Sequence, residues 1–141
     1  MNNNQDKNNC CDNCISNILR VILILQENAE CGDSCLDTCD RGFLGQQFSM
    51  VLYNTRPIVL YTCTTGNTPL SMPISKSPTE TTTSSIFRLE KLDNCCATFR
   101  VLVADTTGDV PTYTSTNSFF TINLDCLCII RCLGDTFVEN I

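Results

Sequence analysis

The apolar residues near the start of the chain recur at helical spacing. Between residues 15 and 28 they fall three or four positions apart, which predicts an amphipathic helix over that range. The positions that set this period are Ile15, Ile18, Leu19, Ile22 and Leu25. Either Asp12 or Asn13 is placed to cap the N-terminus of this helix, since both are good capping residues.

The same helix carries apolar side chains on more than one face. Val21 and Ile24 lie away from the main stripe, and a helix that is apolar nearly all round is usually buried. One small domain has less surface to cover than this helix offers, so we predict that a neighbouring subunit covers part of it. The predicted assembly interface consists of Ile15, Ile18, Val21, Ile22 and Ile24.

Beyond residue 45 the pattern changes to the alternation and the β-branched runs that are typical of strands. A loop rich in glycine and aspartate, residues 29–45, comes first, and clusters of turn-forming residues separate the later runs. Two of these runs are predicted to form a hairpin that turns near Asp93 and Asn94. The predicted strands lie at residues 47–52, 58–63, 86–92, 95–104 and 119–133, the last being one long strand or two that bend.

These elements predict a mainly β fold, namely a β-sandwich or jelly roll with an N-terminal α-helix and a flexible N-terminal arm. The arm, residues 1–14, begins with nine polar residues that cannot contribute to a packed core. The rest is predicted to be a single domain, residues 15–141. Its parts are the helix at 15–28, the cysteine loop at 29–45 and the β-sandwich at 46–133.

Composition excludes several functional classes. The 141 residues include no histidine, so neither a Ser-His or Cys-His dyad nor a histidine metal ligand is available, and we predict that the chain is not an enzyme and holds no cofactor. A net charge of −6 with only 9 basic residues is unsuited to binding nucleic acid. The longest apolar run, residues 15–25, is too short to span a bilayer and lacks the flanks of a signal peptide, so no membrane partner is predicted.

Twelve cysteines make up roughly 8.5% of the chain, at the edge of the range typical of disulfide scaffolds. A chain of this length can bury a core without such staples, so crosslinking between chains better explains the surplus. Cysteines on the arm, in the loop or on an outward strand face can reach a neighbouring chain at little strain. These candidates for intermolecular disulfides are Cys10, Cys11, Cys14, Cys31, Cys35, Cys39 and Cys96.

A second class of cysteines is predicted to face inward. Strand alternation places Cys126, Cys128 and Cys132 on one face together with apolar residues such as Ile122 and Ile130. The same argument places Cys95 on the apolar face of its strand, opposite to its neighbour in sequence. We therefore interpret Cys95, Cys126, Cys128 and Cys132 as buried or intrachain cysteines. Burial as free thiols and pairing within the chain are both compatible with this orientation.

Two other kinds of cysteine chemistry compete with crosslinking. Cys31, Cys35 and Cys39 stand four apart and can form a thiolate metal site, although this spacing matches no common zinc pattern. Cys11 and Cys14 have the C-x-x-C spacing of redox motifs, but they precede any predicted strand, which disfavours a small redox enzyme. A metal-thiolate protein therefore remains the alternative to a crosslinked structural protein, and measurement of bound metal would distinguish the two.

Three stretches of the chain resemble the CotY/CotZ/ExsY family of cysteine-rich spore coat and exosporium proteins. They are residues 54–63 (NTRPIVLYTC), residues 85–102 (SIFRLEKLDNCCATFRVL) and residues 122–133 (INLDCLCIIRCL). The helix that ends at Gln26 and the cysteine loop that ends at residues 43–45 match the family in order. The C-x-C-x3-C spacing within the last stretch, from Cys126 to Cys132, is the most specific of these features.

The resemblance implies a structural subunit of an outer spore layer, coat or exosporium, that forms an ordered, disulfide-crosslinked array acting as a protective permeability barrier. Its implied partners are copies of itself, as a hexameric ring that tiles into a sheet, and other cysteine-rich spore coat proteins. It implies location at the spore surface after synthesis in the mother-cell cytoplasm. The N-terminal cysteines also resemble the crosslinking arm of spore appendage subunits, so a fibre is the alternative to a sheet.

Overall fold

In the computed structural model of the chain, the structure describes residues 13–29, 53–64 and 66–141. These residues contain one α-helix, seven strands and a short 3₁₀ turn. The elements are α1 (Cys14–Ala29), β1 (Ile58–Thr62), β2 (Met72–Pro73), β3 (Thr83–Ser84), β4 (Ile86–Asp93), β5 (Cys96–Asp105), β6 (Thr112–Asn123), the 3₁₀ turn (Leu124–Cys126) and β7 (Leu127–Cys132).

The N-terminal helix begins at a polar cap and buries one stripe of side chains. The side-chain oxygen of Asn13 accepts a hydrogen bond from the backbone N–H of Ser16 at 2.8 Å, and the Ser16 hydroxyl donates to the Asn13 carbonyl at 2.9 Å. The first bond satisfies a helix N–H that has no partner within the helix. The predicted helix and its cap at Asn13 are thus confirmed, with Cys14 as the first helical residue. The buried stripe is Ile15, Ser16, Leu19, Ile22 and Gln26.

Five strands form one antiparallel sheet in the order β6-β5-β4-β1-β7. The predicted hairpin is confirmed as β4–β5, whose turn contains Asn94 at φ 52°, a left-handed conformation that asparagine tolerates. β1 lies between β4 and β7, so that Ile58 pairs with Phe87 on one side and with Cys132 on the other. Strands that are distant in the sequence are therefore neighbours in the sheet.

The core lies between α1 and one face of this sheet. Phe87, Phe99 and Phe120 pack with ring centroids 4.7–6.3 Å apart, which is within the range of favourable aromatic contacts. Leu19 and Ile22 reach the same cluster from the helix and are fully buried. The predicted class, mainly β with an N-terminal helix, is confirmed. Among the described residues, α1 covers the five-stranded sheet, and the second sheet is the two-stranded ribbon β2–β3.

The apolar run at residues 119–133 forms two strands separated by the 3₁₀ turn. The turn is capped by Asn123, whose side-chain oxygen accepts a hydrogen bond from the Asp125 N–H at 3.0 Å. Leu124 and Leu127 are both buried in the core although they lie three positions apart. Strict alternation would place them on opposite faces, so the turn shifts the phase at the start of β7. The irregular register at Cys128 shifts it back, and Ile130 also packs against the core.

The residues after β7, which we call the C-terminal strap (residues 133–141), pack along the segment that precedes β1. Thr136 pairs with Thr55 in an isolated bridge. The Asn54 side chain donates to the Val138 carbonyl and accepts from the Val138 N–H, both at 2.9 Å. Val138 is buried as a result, so the strap is a structural part of the domain.

Candidate functional site

One intrachain disulfide joins the two neighbouring strands β1 and β7. Cys63, directly after β1, is bonded to Cys128 in β7, with Cα atoms 5.0 Å apart, which is ordinary for a disulfide. Cys63 was missed as a functional residue. It directly follows the apolar run of β1, but no local pattern shows that this run pairs with a strand more than 60 residues later.

Four described cysteines carry free, exposed thiols. They are Cys14, Cys96, Cys126 and Cys132. Cys14 lies at the start of α1 and Cys96 at the start of β5, while the other two flank β7. A free exposed thiol is accessible to another chain, where it can exchange with a disulfide or, when an oxidant is supplied, form a disulfide with a second thiol. Cys96 pairs with Asn123 and so lies at the same end of the sheet as Cys126. The four thiols therefore occupy three places on the domain.

The prediction that Cys126 and Cys132 are buried or paired within the chain is wrong. The physical reasons differ. Cys126 is the last residue of the 3₁₀ turn, which breaks the alternation on which the prediction depended. Cys132 pairs with buried Ile58, so it lies on the core face, but β7 is an edge strand and its end is left uncovered.

The remaining candidate cysteines are either disulfide-bonded or outside the described residues. Cys95 packs partly buried against the core and is disulfide-bonded. Cys128 is exposed and belongs to the disulfide described above. Five candidates for intermolecular bonds lie outside the described residues, namely Cys10, Cys11, Cys31, Cys35 and Cys39.

The predicted assembly interface divides into a buried and an exposed part. Ile15 and Ile22 are 5% and 1% exposed and belong to the core of their own domain, so their assignment to an interface is wrong. The sheet is the surface that covers them, because they share the stripe that faces it. The exposed apolar part of the helix, which we call the outer helix patch, consists of Ile18, Val21, Ile24 and Leu25, each 40–55% exposed.

Three of the four patch residues continue a regular stripe that begins at the free thiol. Cys14, Ile18, Val21 and Leu25 follow one another at intervals of four, three and four residues, which is the spacing of a helix-packing seam. Arg20 and Glu27 are exposed on other sides of the helix. The helix therefore presents an uncharged apolar strip that ends in a thiol.

A polar network joins β4, β5 and the segment before β1, and is built largely from the stretches that carry the family resemblance. Arg88 is 4% exposed, and its guanidinium donates to Glu90 at 2.7 Å and to the Thr55 hydroxyl at 2.9 Å. Arg100 donates to the same Glu90 carboxylate at 3.1 Å and stacks over the Phe119 ring at 4.4 Å. Buried charges persist only when paired and hydrogen-bonded, so these residues serve the fold.

The helix and the strap are tied to the sheet by polar contacts at one end of the domain. Buried Gln26 donates to the Leu89 carbonyl at 2.9 Å and accepts from the Arg56 N–H at 3.1 Å. The Arg56 side chain forms a two-pronged ion pair with Asp135 of the strap, at 2.6 and 2.8 Å. These hydrogen bonds from the guanidinium hold the pKa of the Asp135 carboxyl below its usual value.

Two kinds of site are missing from the part of the chain that the structure describes. Within residues 13–29, 53–64 and 66–141, no three histidine, cysteine or acidic side chains lie close enough to hold a metal ion. No helix in these ranges is long and apolar enough to cross a membrane.

A family model described as spore coat protein Z matches residues 1–113 of the chain. The chain belongs to the spore coat protein Z family. Membership in the spore coat protein Z family implies a structural, non-enzymatic role in the spore coat and a location at the spore surface. The matched range includes α1 and the strands β1–β5, and it ends within β6. No curated protein and no solved structure matches the chain.

Proposed function

We propose that this chain is a self-assembling subunit of an outer spore layer, in which noncovalent contacts set the arrangement and disulfides then lock it. The proposed partners are copies of the chain, in a hexameric ring that tiles into a sheet, together with other cysteine-rich coat proteins. The layer is the coat or the exosporium, and the chain reaches it from the mother-cell cytoplasm. As a crosslinked sheet, the layer acts as a permeability barrier.

The observation that supports crosslinking best is the distribution of the free thiols. A subunit that forms one or two links can make only dimers, linear chains or closed rings, whereas a continuous sheet needs at least three links from each subunit. Cys14, Cys96, Cys126 and Cys132 are four free thiols, on the helix, at the start of β5 and at both ends of β7. Cys96 and Cys126 lie at the same end of the sheet, so the thiols occupy three places, the least number that a sheet needs.

The outer helix patch supports the noncovalent part of the proposal. Single exposed apolar residues are normal on a soluble domain, but contiguous ones mark interaction surfaces. Four half-exposed side chains cover far less than the roughly 800 Å² per partner of a stable interface. We therefore expect the patch to give a weak contact that positions the subunits, with durability supplied by the covalent bonds.

The test separates assembly from crosslinking. The full chain is purified from a reducing cytosol with reductant present throughout, viewed by electron microscopy, and then oxidised. We expect ordered assemblies before oxidation, and resistance to heat and detergent only after it. Micrographs also distinguish a sheet from a fibre. Only monomers under reductant would show that noncovalent contacts do not set the arrangement.

A matched pair of variants tests the role of the free thiols. Serine at all four of them, Cys14, Cys96, Cys126 and Cys132, should reduce the covalent ladder on non-reducing gels without preventing assembly in reductant. Serine at Cys63 and Cys128, which are bonded to each other, should leave the ladder in place. Equal ladders from both variants would contradict the assignment of the crosslinks to the exposed thiols.

A further inference from the structure

Three exposed cysteines meet where the end of β1 lies against β7. Cys63 and Cys128 share the disulfide, and Cys126 is a free thiol two residues before Cys128. The backbone N–H of Cys63 donates to the carbonyl of Cys126 at 3.0 Å. The bonded pair and the free thiol are therefore held at the same corner of the sheet by backbone hydrogen bonding.

The register of the two strands brings both Cys126 and Cys128 within reach of Cys63. Tyr61 pairs with Ile129 but Thr62 pairs with Leu127, so the ladder skips Cys128. The hydrogen bond from Cys63 to Cys126 continues the ladder after this shift.

The distance between the strands also permits an alternative disulfide at this corner, between Cys63 and Cys126. Residues directly opposite each other on antiparallel strands have Cβ atoms about 4.5–5.5 Å apart. Their Cα atoms, about 4.5–5.5 Å apart, lie within the range of about 4.4–6.8 Å seen in disulfides. Cys126 can therefore approach Cys63 with only a small adjustment of its side chain and backbone. The irregular register makes Cys63 a neighbour of both Cys126 and Cys128.

We propose that Cys63 is the shared sulfur of a thiol–disulfide exchange between Cys126 and Cys128. The Cys126 thiol gives its proton to solvent, and the resulting thiolate attacks Cys63 Sγ. A Cys63–Cys126 bond forms while the Cys63–Cys128 bond breaks, and the electron pair leaves on Cys128 Sγ, which then takes a proton from solvent. One disulfide and one thiol are present before and after the step, so no oxidant is consumed.

The exchange decides whether Cys126 or Cys128 presents a free thiol. In one isomer the thiol lies at the end of the 3₁₀ turn, and in the other it lies within the edge strand at Cys128. All three cysteines are exposed, so a thiol of a second copy can enter the same reaction and become bonded to this corner. The exchange itself takes place within one chain and does not depend on the proposed assembly.

Disulfide mapping of the full chain tests this assignment. Wild type and the variants C63S, C126S and C128S are folded, treated with N-ethylmaleimide at low pH to block free thiols, digested with pepsin and sequenced by tandem mass spectrometry. Fragment ions on either side of Leu127 distinguish Cys126 from Cys128. The matched control is C132S, which removes another exposed free thiol flanking β7.

We expect C128S to contain a Cys63–Cys126 bond, C126S a Cys63–Cys128 bond, and C63S neither. Wild type and C132S should contain both isomers. When wild type is held at pH 7 instead of pH 6 without oxidant, the two isomers should interconvert up to tenfold faster, because the thiolate is the nucleophile.

Two results would overturn the proposal. One is a C128S protein with a native circular dichroism spectrum in which Cys63 is found blocked by maleimide. The other is wild type that contains a single isomer at every pH; this result does not depend on whether any variant folds. Loss of assembly with exchange intact would count against the proposed function and leave the exchange standing.

Discussion

Glutamate at Val21 and Ile24 would place charge in the outer helix patch without disturbing the core. Both side chains are already about half exposed, at 54% and 55%. Complete burial of such a side chain contributes about 1.5–3 kcal/mol, so the half that is buried contributes about 1 kcal/mol for each residue. Glutamate is also a better helix former than valine or isoleucine by a few tenths of a kcal/mol. The free energy of unfolding should therefore fall by no more than about 2 kcal/mol.

The effect on assembly should be much larger than the effect on folding. A carboxylate enclosed in an apolar contact costs several kcal/mol when it has no partner. The helix exposes only Arg20 and Glu27 as charges, so a second helix packed on the patch offers few cations to pair with the new glutamates. Even a cost of about 3 kcal/mol per contact weakens association more than 100-fold.

The assay compares V21E/I24E with wild type in reductant, where disulfides cannot hide a weakened contact. Sedimentation and electron microscopy report assembly, and far-ultraviolet circular dichroism reports folding. E27K is the control because it changes the charge by two at an exposed position on another side of the same helix, and it should assemble. I22E tests the opposite extreme, since Ile22 is 1% exposed and a charge there should unfold the domain.

Small soluble oligomers with an intact β spectrum are the expected result for V21E/I24E. A lattice that is unchanged in micrographs would refute the reasoning. In that case the outer helix patch faces solvent in the assembly, and the interface must be sought on the strands.

Three further predictions concern the stability of the domain. Glu90→Ala removes a carboxylate from buried Arg88 and should lower the free energy of unfolding by about 3 kcal/mol, measured by urea denaturation in reductant. Asp135→Asn should remove the ion pair with Arg56, which contributes under about 1 kcal/mol because both side chains are partly exposed. In wild type this stabilisation is present above the ordinary carboxyl pKa and is lost as pH falls through the lowered pKa of Asp135. Thermal unfolding from pH 7 to pH 2 should show this loss in wild type alone. Serine at both Cys63 and Cys128 should cost about 4 kcal/mol in non-reducing urea denaturation, from the entropy of a loop that spans 65 residues; an unchanged midpoint would contradict this.

The helix and the β4–β5 hairpin could be predicted from the sequence because local pattern determines both. Asn13 caps the helix, and the turn at Asn94 needs a residue that tolerates a left-handed backbone. Periodicity could not show which apolar stripe the sheet covers, because α1 is apolar on several sides. Ile22 and Val21 are adjacent and similar in chemistry, yet the first is buried and the second exposed.

The candidate site was harder to predict because it depends on pairing between distant strands. The role of Cys63 depends on the pairing of β1 with β7, which places it beside Cys128. The exposed thiol of Cys126 depends on a 3₁₀ turn of three residues, which no periodicity reveals within a continuous apolar run. Arg88 and Glu90 lie within the stretches that carry the family resemblance, but the sequence does not show that they form an ion pair, because their pairing depends on the folded sheet.

The disulfide between β1 and β7 also determines how the domain responds to tension. If neighbours pull at Cys14 and Cys132, the force passes from Cys63 across the sulfur–sulfur bond to Cys128 and bypasses the chain between them. That bypassed chain spans 65 residues and, at about 3.4 Å for each residue, holds roughly 220 Å of extensible length. While the bond is intact, β2–β6 cannot unravel into a long tether, and these residues add nothing to the length over which a pulled subunit can extend.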